Sequence, residues 1–257
     1  MCIDLNGDVG EEPKNTNWNP DQPFIAQLTS ANVACGFHAG NPRIMRDTIA
    51  IAQEYGVAVG AHPGFPDPEG FGRRAMHFSP RDVEDFVAYQ VGVLAGIAAS
   101  QGVRLQHVKP HGALFNMAVR DGELADAIAR AAALIDRNLI LFGLPGSEIV
   151  AAGERAGLRT ASEGFADRAY EADGTLVPRD RNGAVIRDAA TVVRRVIRMA
   201  RDQVVEAVDG TMVPLAVDTI CVHGDTPGAA DLAARIRAGL TEAGVEVVSV
   251  GRLPASR

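Results

Sequence analysis

The segment 29–62, TSANVACGFHAGNPRIMRDTIAIAQEYGVAVGAH, predicts one helix between two strands. Residues 29–35 and 57–61 are short, mostly apolar runs of the kind that form buried strands. Between them, residues 42–55 have the apolar spacing of a helix, and Gly56 is the residue type that commonly ends one. This order predicts two parallel strands joined by a crossover helix.

The same alternation continues along the chain. Further strands are expected near 1–6, 103–109, 138–144, 158–163, 218–223 and 245–250, and helices near 23–29, 80–101, 123–136, 146–157, 188–202 and 227–244. Roughly seven or eight strand–helix units favour an α/β fold, a (β/α) barrel with seven or eight parallel strands. No GxGxxG follows the first strand, so an open dinucleotide-binding sheet has little support.

One segment departs from the alternation. Asp209-Gly210 lies between two β-prone runs, which is typical of a hairpin and predicts a small β-hairpin excursion near 204–217. Pro214 indicates an edge strand there, because proline cannot donate a backbone hydrogen bond. Neither a linker nor an internal repeat interrupts the chain, so we interpret residues 1–257 as a single barrel domain.

The composition argues against several classes of protein. A net charge of −7 and the lack of any basic run disfavour nucleic-acid binding. MCIDLNGD has neither the basic nor the apolar part of a signal peptide, and no apolar stretch approaches the length of a membrane span. The three cysteines lack metal-type spacing and are expected to be reduced. We expect a cytoplasmic protein that acts on a small molecule, and leave open whether it forms a homo-oligomer.

The histidines indicate an active site. Five of the six lie at or just past the end of an expected strand: His38, His62, His107, His111 and His223. A (β/α) barrel gathers those strand ends on one rim, where barrel enzymes carry out their chemistry. Imidazole can accept a proton, donate one or bind a metal near neutral pH. The pattern therefore predicts an enzyme with its site on this rim.

The first strand brings polar residues to the same place. Asp4, Asn6 and Asp8 alternate, so their side chains point to one side, which in a barrel is the interior. Asp8 with His38 and His62 could form a metal set with open positions, suited to Zn, Mn or Fe. Two alternatives stay open: a solvated turn at the end of the strand, and two hydrogen-bonded histidines that bind substrate without a divalent metal.

The segment HVKPHGALFN has the highest density of residues that could take part in catalysis or binding. Lys109 would meet a negative charge, and His111 could transfer a proton, so Asp8, Lys109 and His111 are the catalytic candidates. The alternative is an ordinary loop after a strand. Other polar residues at the rim and in its loops are candidates for substrate binding: Asn6, Arg73, Arg74, Asn116, Glu163, Arg168, His223 and Asp225. For Asp225, helix capping is the alternative.

Six motifs together resemble the LamB/YcsF family of lactam-utilisation proteins. They are IDLNGDVGE, SANVACGFHAG, GAHPGFPDPEGFGRR, HVKPHGALFN, FADRAY with DGTLVPR, and CVHGD, which run in this order from residue 3 to residue 225. Each motif alone is weak evidence of a family, but the six motifs in this order are specific. Two features depart from the family pattern. Asn41 stands where relatives typically carry Asp, and the polar segment 11–23 is longer than expected.

The resemblance implies a barrel of the glycoside hydrolase/deacetylase type. It also implies hydrolysis of 5-oxo-L-proline to L-glutamate with ATP as co-substrate, in a 5-oxoprolinase complex with partner subunits B and C. In such a reaction we expect Arg73 or Lys109 to bind the lactam carboxylate and Asp8 or His111 to move protons. No GxxxxGK[ST] loop is present, which excludes a P-loop but no other ATP site.

Two rival functions remain at this stage. The first is an ATP-independent, metal-dependent amidohydrolase or deacetylase. The second is a non-catalytic subunit that keeps an unused site, which the density of intact polar rim residues argues against.

Overall fold

The computed structural model describes residues 1–11, 21–224 and 228–253. In these ranges the strands are β1 (Cys2–Val9), β2 (Ser30–Ala34), β3 (Ala58–His62), β4 (His107–Val108), β5 (Ile140–Gly143), β6 (Arg159–Phe165), β7 (Val204–Glu206), β8 (Met212–Pro214), β9 (Thr219–His223) and β10 (Glu246–Val247). The helices are α1 (Gln22–Ile25), α2 (Pro42–Glu54), α3 (Pro80–Ala99), α4 (Gly112–Ala118), α5 (Gly122–Ile135), α6 (Glu148–Arg155), α7 (Ala189–Asp202) and α8 (Ala229–Glu242). None of these helices is long and apolar enough to cross a membrane.

Seven parallel strands close into a barrel. Strands β1 to β6 pair in chain order, and β9 then pairs with both β6 and β1, which completes the ring. Thr219 marks the closure, since it lies opposite Glu163 on one side and Asp4 on the other. The predicted barrel of seven or eight parallel strands is therefore confirmed.

The last expected strand lies outside this ring. Strand β10 pairs only with the start of β1, where Cys2 lies opposite Glu246. Its apolar run predicted a strand correctly, but β9 already occupies the position beside β1 that closes the barrel. The predicted hairpin is confirmed: β7 and β8 pair antiparallel, with Val205 opposite Val213.

Four of the described helices, α2, α3, α5 and α7, begin with a side-chain cap. Ser79 and Asp82 form a capping box at the start of α3, as the Ser79-Pro80 pair indicated. Asn41 caps α2 by accepting hydrogen bonds from the backbone N–H groups of Arg43 and Ile44. Asparagine and aspartate perform this role about equally well, so Asn41 starts α2 as an acid would.

The interior of the barrel holds a polar network. Asp4 accepts hydrogen bonds from Thr29, Ser30, Thr219 and the backbone of Val250, while burial raises its pKa to about 6. Because each buried polar group needs a partner, this network offsets the cost of burying an acid inside the barrel. Asp4 thus belongs to the scaffold beneath the rim.

His107 belongs to the same scaffold. Its Nε2 lies 2.7 Å from Oδ1 of Asn32, and its ring stacks on Phe142 with centroids 4.4 Å apart. Burial lowers the pKa of His107 to about 3, which keeps the ring neutral. The expectation that His107 lies on the rim is wrong, because β4 is short and His107 is its first residue, inside the barrel.

The contact between Gly60 and His107 makes a testable prediction. A Cβ added at Gly60 would fall within the imidazole ring of His107, which Asn32 and Phe142 hold in place. We expect Gly60→Ala to lower the free energy of unfolding by about 1–3 kcal/mol, measured by chemical denaturation.

Gly96→Ala is the matched control. Gly96 lies within α3 and has no atom near its added Cβ, so alanine there should stabilise the protein by about 0.5–1 kcal/mol. Equal stability of the two variants would contradict the packing of His107 against β3.

Candidate active site

Two connected cavities open at the carboxyl ends of the barrel strands. The inner cavity is lined by polar side chains from several strand ends: Asp8, Glu11, His62, Lys109, His111 and His223. The outer cavity has a volume of about 710 Å³ and is lined largely by residues 112–120 and 168–181. Arg73, Asn116, Arg168 and Arg179 line both, so they stand where the two cavities join.

Lys109 is a buried cation of the inner cavity. Its Nζ lies 2.8 Å from Oδ1 of Asp8, 3.1 Å from Oε1 of Glu163 and 2.9 Å from Sγ of Cys221. Burial opposes the charge, but Asp8, Cys221 and Glu163 together raise the pKa of Lys109 well above its usual value. The structure thus brings together Asp8 and Lys109, two of the three catalytic candidates.

Asp8 is held as a carboxylate. Burial raises its pKa, but the charges of His62 and Lys109 outweigh that effect and leave the pKa well below the usual value. Asn32 adds a hydrogen bond of 2.8 Å to the same oxygen that faces Lys109. Asp8 can therefore orient a cation or accept hydrogen bonds, but it is a weak base and is not poised to donate a proton at neutral pH.

Asn6 and Glu163 form a layer below the inner cavity. The side-chain amide of Asn6 donates to Oε1 of Glu163 at 3.0 Å, and Glu163 in turn contacts Lys109. Both residues are fully buried, and neither is among the residues that line the cavities. Their direct contact with substrate stays a prediction, while their contact with the lysine is in place.

Three histidines converge on Glu11. Its Oε1 lies 3.1 Å from Nε2 of His38, 3.3 Å from Nδ1 of His111 and 3.7 Å from Nε2 of His62. These four residues form one group that could hold a metal ion, and Asp8, Cys221 and His223 form another. The structure thus groups His38 and His62 with Glu11 and His111, whereas Asp8 lies 3.5 Å from His62 and contacts Lys109.

Two of the three histidines that line the inner cavity are held by backbone carbonyls. Nδ1 of His62 lies 2.7 Å from the carbonyl oxygen of Lys109, and Nε2 of His111 lies 2.8 Å from that of Phe71. Burial lowers the pKa of His111 well below its usual value, so its ring is neutral. Since its second nitrogen lies 2.9 Å from His62, His111 is engaged at both ends.

His223 and Asp167 form a dyad on the opposite side of the cavity. Nδ1 of His223 lies 2.7 Å from Oδ1 of Asp167, and the His223 ring stacks on Phe165. Burial raises the pKa of Asp167, but the neighbouring His223 lowers it by more. The net pKa is below its usual value, so the carboxylate stays ionised. A carboxylate at Nδ1 leaves Nε2 as the nitrogen that can exchange a proton with a ligand.

Arginines surround the junction of the two cavities. Arg168 is buried and donates to the carbonyl oxygen of Val177 at 2.6 Å, and burial together with Arg179 lowers its pKa to about 10. Arg73 lies over the ring of Phe71 and is exposed, as are Arg179 and Asn116. Guanidinium groups in this position suit a carboxylate or phosphate ligand.

One predicted binding residue lies away from the cavities, and another falls outside the described residues. Arg74 pairs with Asp67 within its own loop and lines neither cavity, so a role in substrate binding stays a prediction. Asp225 lies outside the described residues.

Sequence reasoning missed the roles of Glu11 and Asp167. Glu11 follows Asp8 by three residues in a segment that resembles a turn, and Asp167 comes two residues after the end of β6. Both are acids just past a strand end, which was the one signal that could have marked them.

The comparisons with known proteins identify the family of the chain. The model of the LamB/YcsF family matches residues 3–255. The chain belongs to this family. Among the LamB/YcsF relatives, the A subunit of 5-oxoprolinase from Bacillus subtilis (strain 168) is 51% identical over 248 residues, covering 96% of this chain and 96% of that protein. A protein of Pyrococcus furiosus with the same name is 47% identical and covers 98% of each chain.

Solved structures support the same fold. The lactam utilization protein from Thermus thermophilus aligns with a TM-score of 0.91 and 44% identity, covering 97% of this chain and 100% of that one. The Bc1960 peptidoglycan N-acetylglucosamine deacetylase aligns over all of this chain and 90% of that one, with a TM-score of 0.50 and 11% identity. At 11% identity, the second likeness concerns the barrel fold alone.

Proposed function

We propose that this chain is the lactam-binding subunit of an ATP-dependent 5-oxoprolinase that converts 5-oxo-L-proline to L-glutamate together with partner subunits B and C. The proposal is supported by relatives of this name that match nearly the full chain. The observation that carries it is the inner cavity, where a charged lysine–aspartate pair and a histidine–aspartate dyad face one space bordered by arginines.

The coupling to ATP follows from the chemistry of the lactam. The ring amide is stabilised by resonance and resists water. Transfer of the γ-phosphoryl group of ATP to the carbonyl oxygen, with loss of the amide proton, leaves ADP and an activated carbon. Water adds at this carbon, and protonation of the ring nitrogen breaks the C–N bond to give an acyl phosphate. A second water releases phosphate and leaves glutamate.

The two cavities fit different parts of this substrate. Arg73 and Asn116, exposed where the cavities join, are positioned to bind the carboxylate, and the lactam ring then extends into the inner cavity. The outer cavity is in the range of roughly 300–1,000 Å³ that small-molecule sites occupy, so it gives the substrate and a phosphoryl group access from solvent.

The dyad takes the proton-transfer role in this proposal. His223 accepts a proton from the attacking water and returns one to the ring nitrogen, while Asp167 holds the tautomer that makes this exchange effective. His111 was the first candidate for this step, but its two nitrogens contact Phe71 and His62. Lys109 stabilises negative charge at the bottom of the cavity and holds Asp8 in place.

A second candidate function is favoured by one observation. The convergence of Glu11 with three histidines is an arrangement that a metal-dependent amidohydrolase would use without ATP. Such an enzyme would be active as this chain alone.

The deciding experiment is glutamate release from 5-oxoproline by the purified chain, with and without ATP and with and without subunits B and C. We expect glutamate only when ATP and both partners are present, with one ADP formed for each glutamate. ATP-independent release by the isolated chain that a chelator abolishes would replace this proposal with the metal-dependent hydrolase. No release in any combination would overturn both.

A further inference from the structure

The contacts of His62 and His111 determine which ring nitrogens carry protons. A backbone carbonyl oxygen only accepts hydrogen bonds, so Nδ1 of His62 donates to Lys109 and Nε2 of His111 donates to Phe71. The other two nitrogens, Nε2 of His62 and Nδ1 of His111, are therefore the positions left to bind a proton or a metal ion. These nitrogens face each other at 2.9 Å, where two lone pairs repel unless a cation lies between them.

Glu11 supplies the third electron-rich group. Its Oε1 lies 3.3 Å from Nδ1 of His111 and 3.7 Å from Nε2 of His62. Three ligands bound tetrahedrally at about 2.1 Å from one metal ion lie roughly 3.4 Å from each other. The three distances in this triangle, 2.9, 3.3 and 3.7 Å, scatter around that value.

His38 occupies an outer position. Its ring stacks parallel on His111, with an interplanar angle of 2° and centroids 3.8 Å apart, so both rings cannot aim a nitrogen lone pair at one point in their planes. Its Nε2 instead lies 3.1 Å from Glu11, and His38 does not line the inner cavity, although Glu11, His62 and His111 do. His38 is therefore placed to orient the carboxylate.

We propose that Glu11, His62 and His111 bind one divalent transition-metal ion, with an open coordination position toward the inner cavity. The carbonyl oxygens of Lys109 and Phe71, and the ring of His38, would orient these ligands from outside, as outer partners do in metal sites. This set shares only His62 with the predicted set of Asp8, His38 and His62, because Lys109 engages Asp8 and Glu11 engages His38.

The ligand types indicate the class of metal. Two imidazoles and one carboxylate suit Zn²⁺ or Co²⁺, whereas Mg²⁺ and Ca²⁺ prefer oxygen ligands alone. A dication there would meet the carboxyl group of Glu11, while the ammonium of Lys109 lies against Asp8 and Glu163. When bound, such an ion supplies a Lewis acid for a carbonyl or phosphoryl oxygen.

The test is metal binding by the untagged full-length chain after treatment with a chelator. We expect Zn²⁺ titrated by calorimetry to bind with one ion per chain, and Co²⁺ to give the visible absorption of a site with nitrogen and oxygen ligands. Glu11→Gln and His111→Gln should each remove this binding. His38→Gln should weaken it by roughly 10–100-fold, the usual effect of losing an outer partner.

His77→Gln is the matched control, because His77 is exposed and lies outside the cluster. It should bind both ions like the unchanged chain. The proposal is overturned if the unchanged chain unfolds cooperatively but binds neither ion, which would mean that a proton alone bridges His62 and His111. Binding that survives in Glu11→Gln and His111→Gln would equally overturn it.

These outcomes are independent of the proposed function. Metal binding is measured on this chain without 5-oxoproline, ATP or partner subunits. Turnover by the complex with no bound ion would leave the 5-oxoprolinase proposal standing and remove the metal site. A bound ion without turnover of 5-oxoproline would leave the metal site standing and remove the 5-oxoprolinase proposal.

Discussion

Replacement of Lys109 by methionine is expected to abolish 5-oxoproline turnover and to lower the free energy of unfolding by about 3–5 kcal/mol. Methionine fills much of the space of the lysine stem, so the loss arises from charge. Asp8 and Glu163 would then be buried without the ammonium that lies 2.8 and 3.1 Å from them. Urea denaturation and the glutamate-release assay measure the two effects separately.

A second variant separates stability from catalysis. In Lys109→Met/Glu163→Gln, one of the two stranded carboxyl groups becomes a neutral amide, so part of the lost stability should return. Turnover should stay absent, because the cation is still missing from the cavity. If the double variant is no more stable than Lys109→Met, Glu163 is not a charged partner of Lys109.

Arg104→Met provides the surface comparison. Arg104 is 85% exposed at its side chain and lies 3.6 Å from Asp136, so removing this pair should cost about 0–1 kcal/mol and leave turnover unchanged. If Arg104→Met lowers the free energy of unfolding as much as Lys109→Met does, the argument that burial makes the Lys109 ion pairs more important is wrong.

The architecture could be predicted because each barrel strand and most helices carry a local pattern. Apolar runs of strand length and helical periodicity recur along the chain, and these features depend only on neighbours in sequence. The number of strands in the ring could not be fixed in this way. Residues 245–250 resemble a strand as clearly as residues 218–223 do. Which of the two segments pairs with β1 along its length, and so closes the barrel, depends on contacts between segments far apart in sequence.

Helix α4 shows a second limit. It begins at Gly112, directly after the Pro110-His111 pair, and no helix was predicted over its seven residues. Glycine and asparagine are weak helix formers, so the local signal is low. The helix forms because Leu114 and Phe115 are buried in the core and because the carbonyl of Gly72 accepts a hydrogen bond from Ala113.

The sequence predicted where in the barrel the candidate site lies, but not which residues contact each other within it. Strand ends identified Asp8, Lys109 and His223, because a parallel barrel brings all such ends to one rim. Which partner each residue contacts depends on the register of strands far apart in sequence. Asp167 meets His223, which is 56 residues away, and Glu11 meets His111, which is 100 residues away; no local motif encodes either pair.

Replacement of Asp167 by asparagine is expected to lower kcat for 5-oxoproline by roughly 10²–10⁴-fold, the range that general acid–base catalysis contributes. An asparagine amide can donate to Nδ1 of His223, which would move the ring proton to Nε2 and remove the lone pair that accepts a proton from water. KM should change little, because Asp167 does not line the cavity where substrate binds.

Two comparisons distinguish this role from a structural one. His223→Gln should lose a similar factor, and Asp167→Asn/His223→Gln should lose little more than either single variant, since the two residues act as one unit. Asp121→Asn is the matched control: Asp121 caps α5, and asparagine caps a helix equally well, so both kcat and Tm should stay unchanged.

The pH profile of kcat gives the readout that stability alone would not change. In the unchanged complex, burial raises the pKa of Asp167, but His223 lowers it by more, so Asp167 stays ionised at neutral pH and loses its charge only in acid. Because the dyad needs this carboxylate, kcat should fall as Asp167 becomes protonated on the acid side of the profile. Asp167→Asn has no carboxyl group to protonate, so this fall should be absent from its profile. A profile that keeps the same acid limb in Asp167→Asn, together with a near-normal kcat, would show that another group moves the proton.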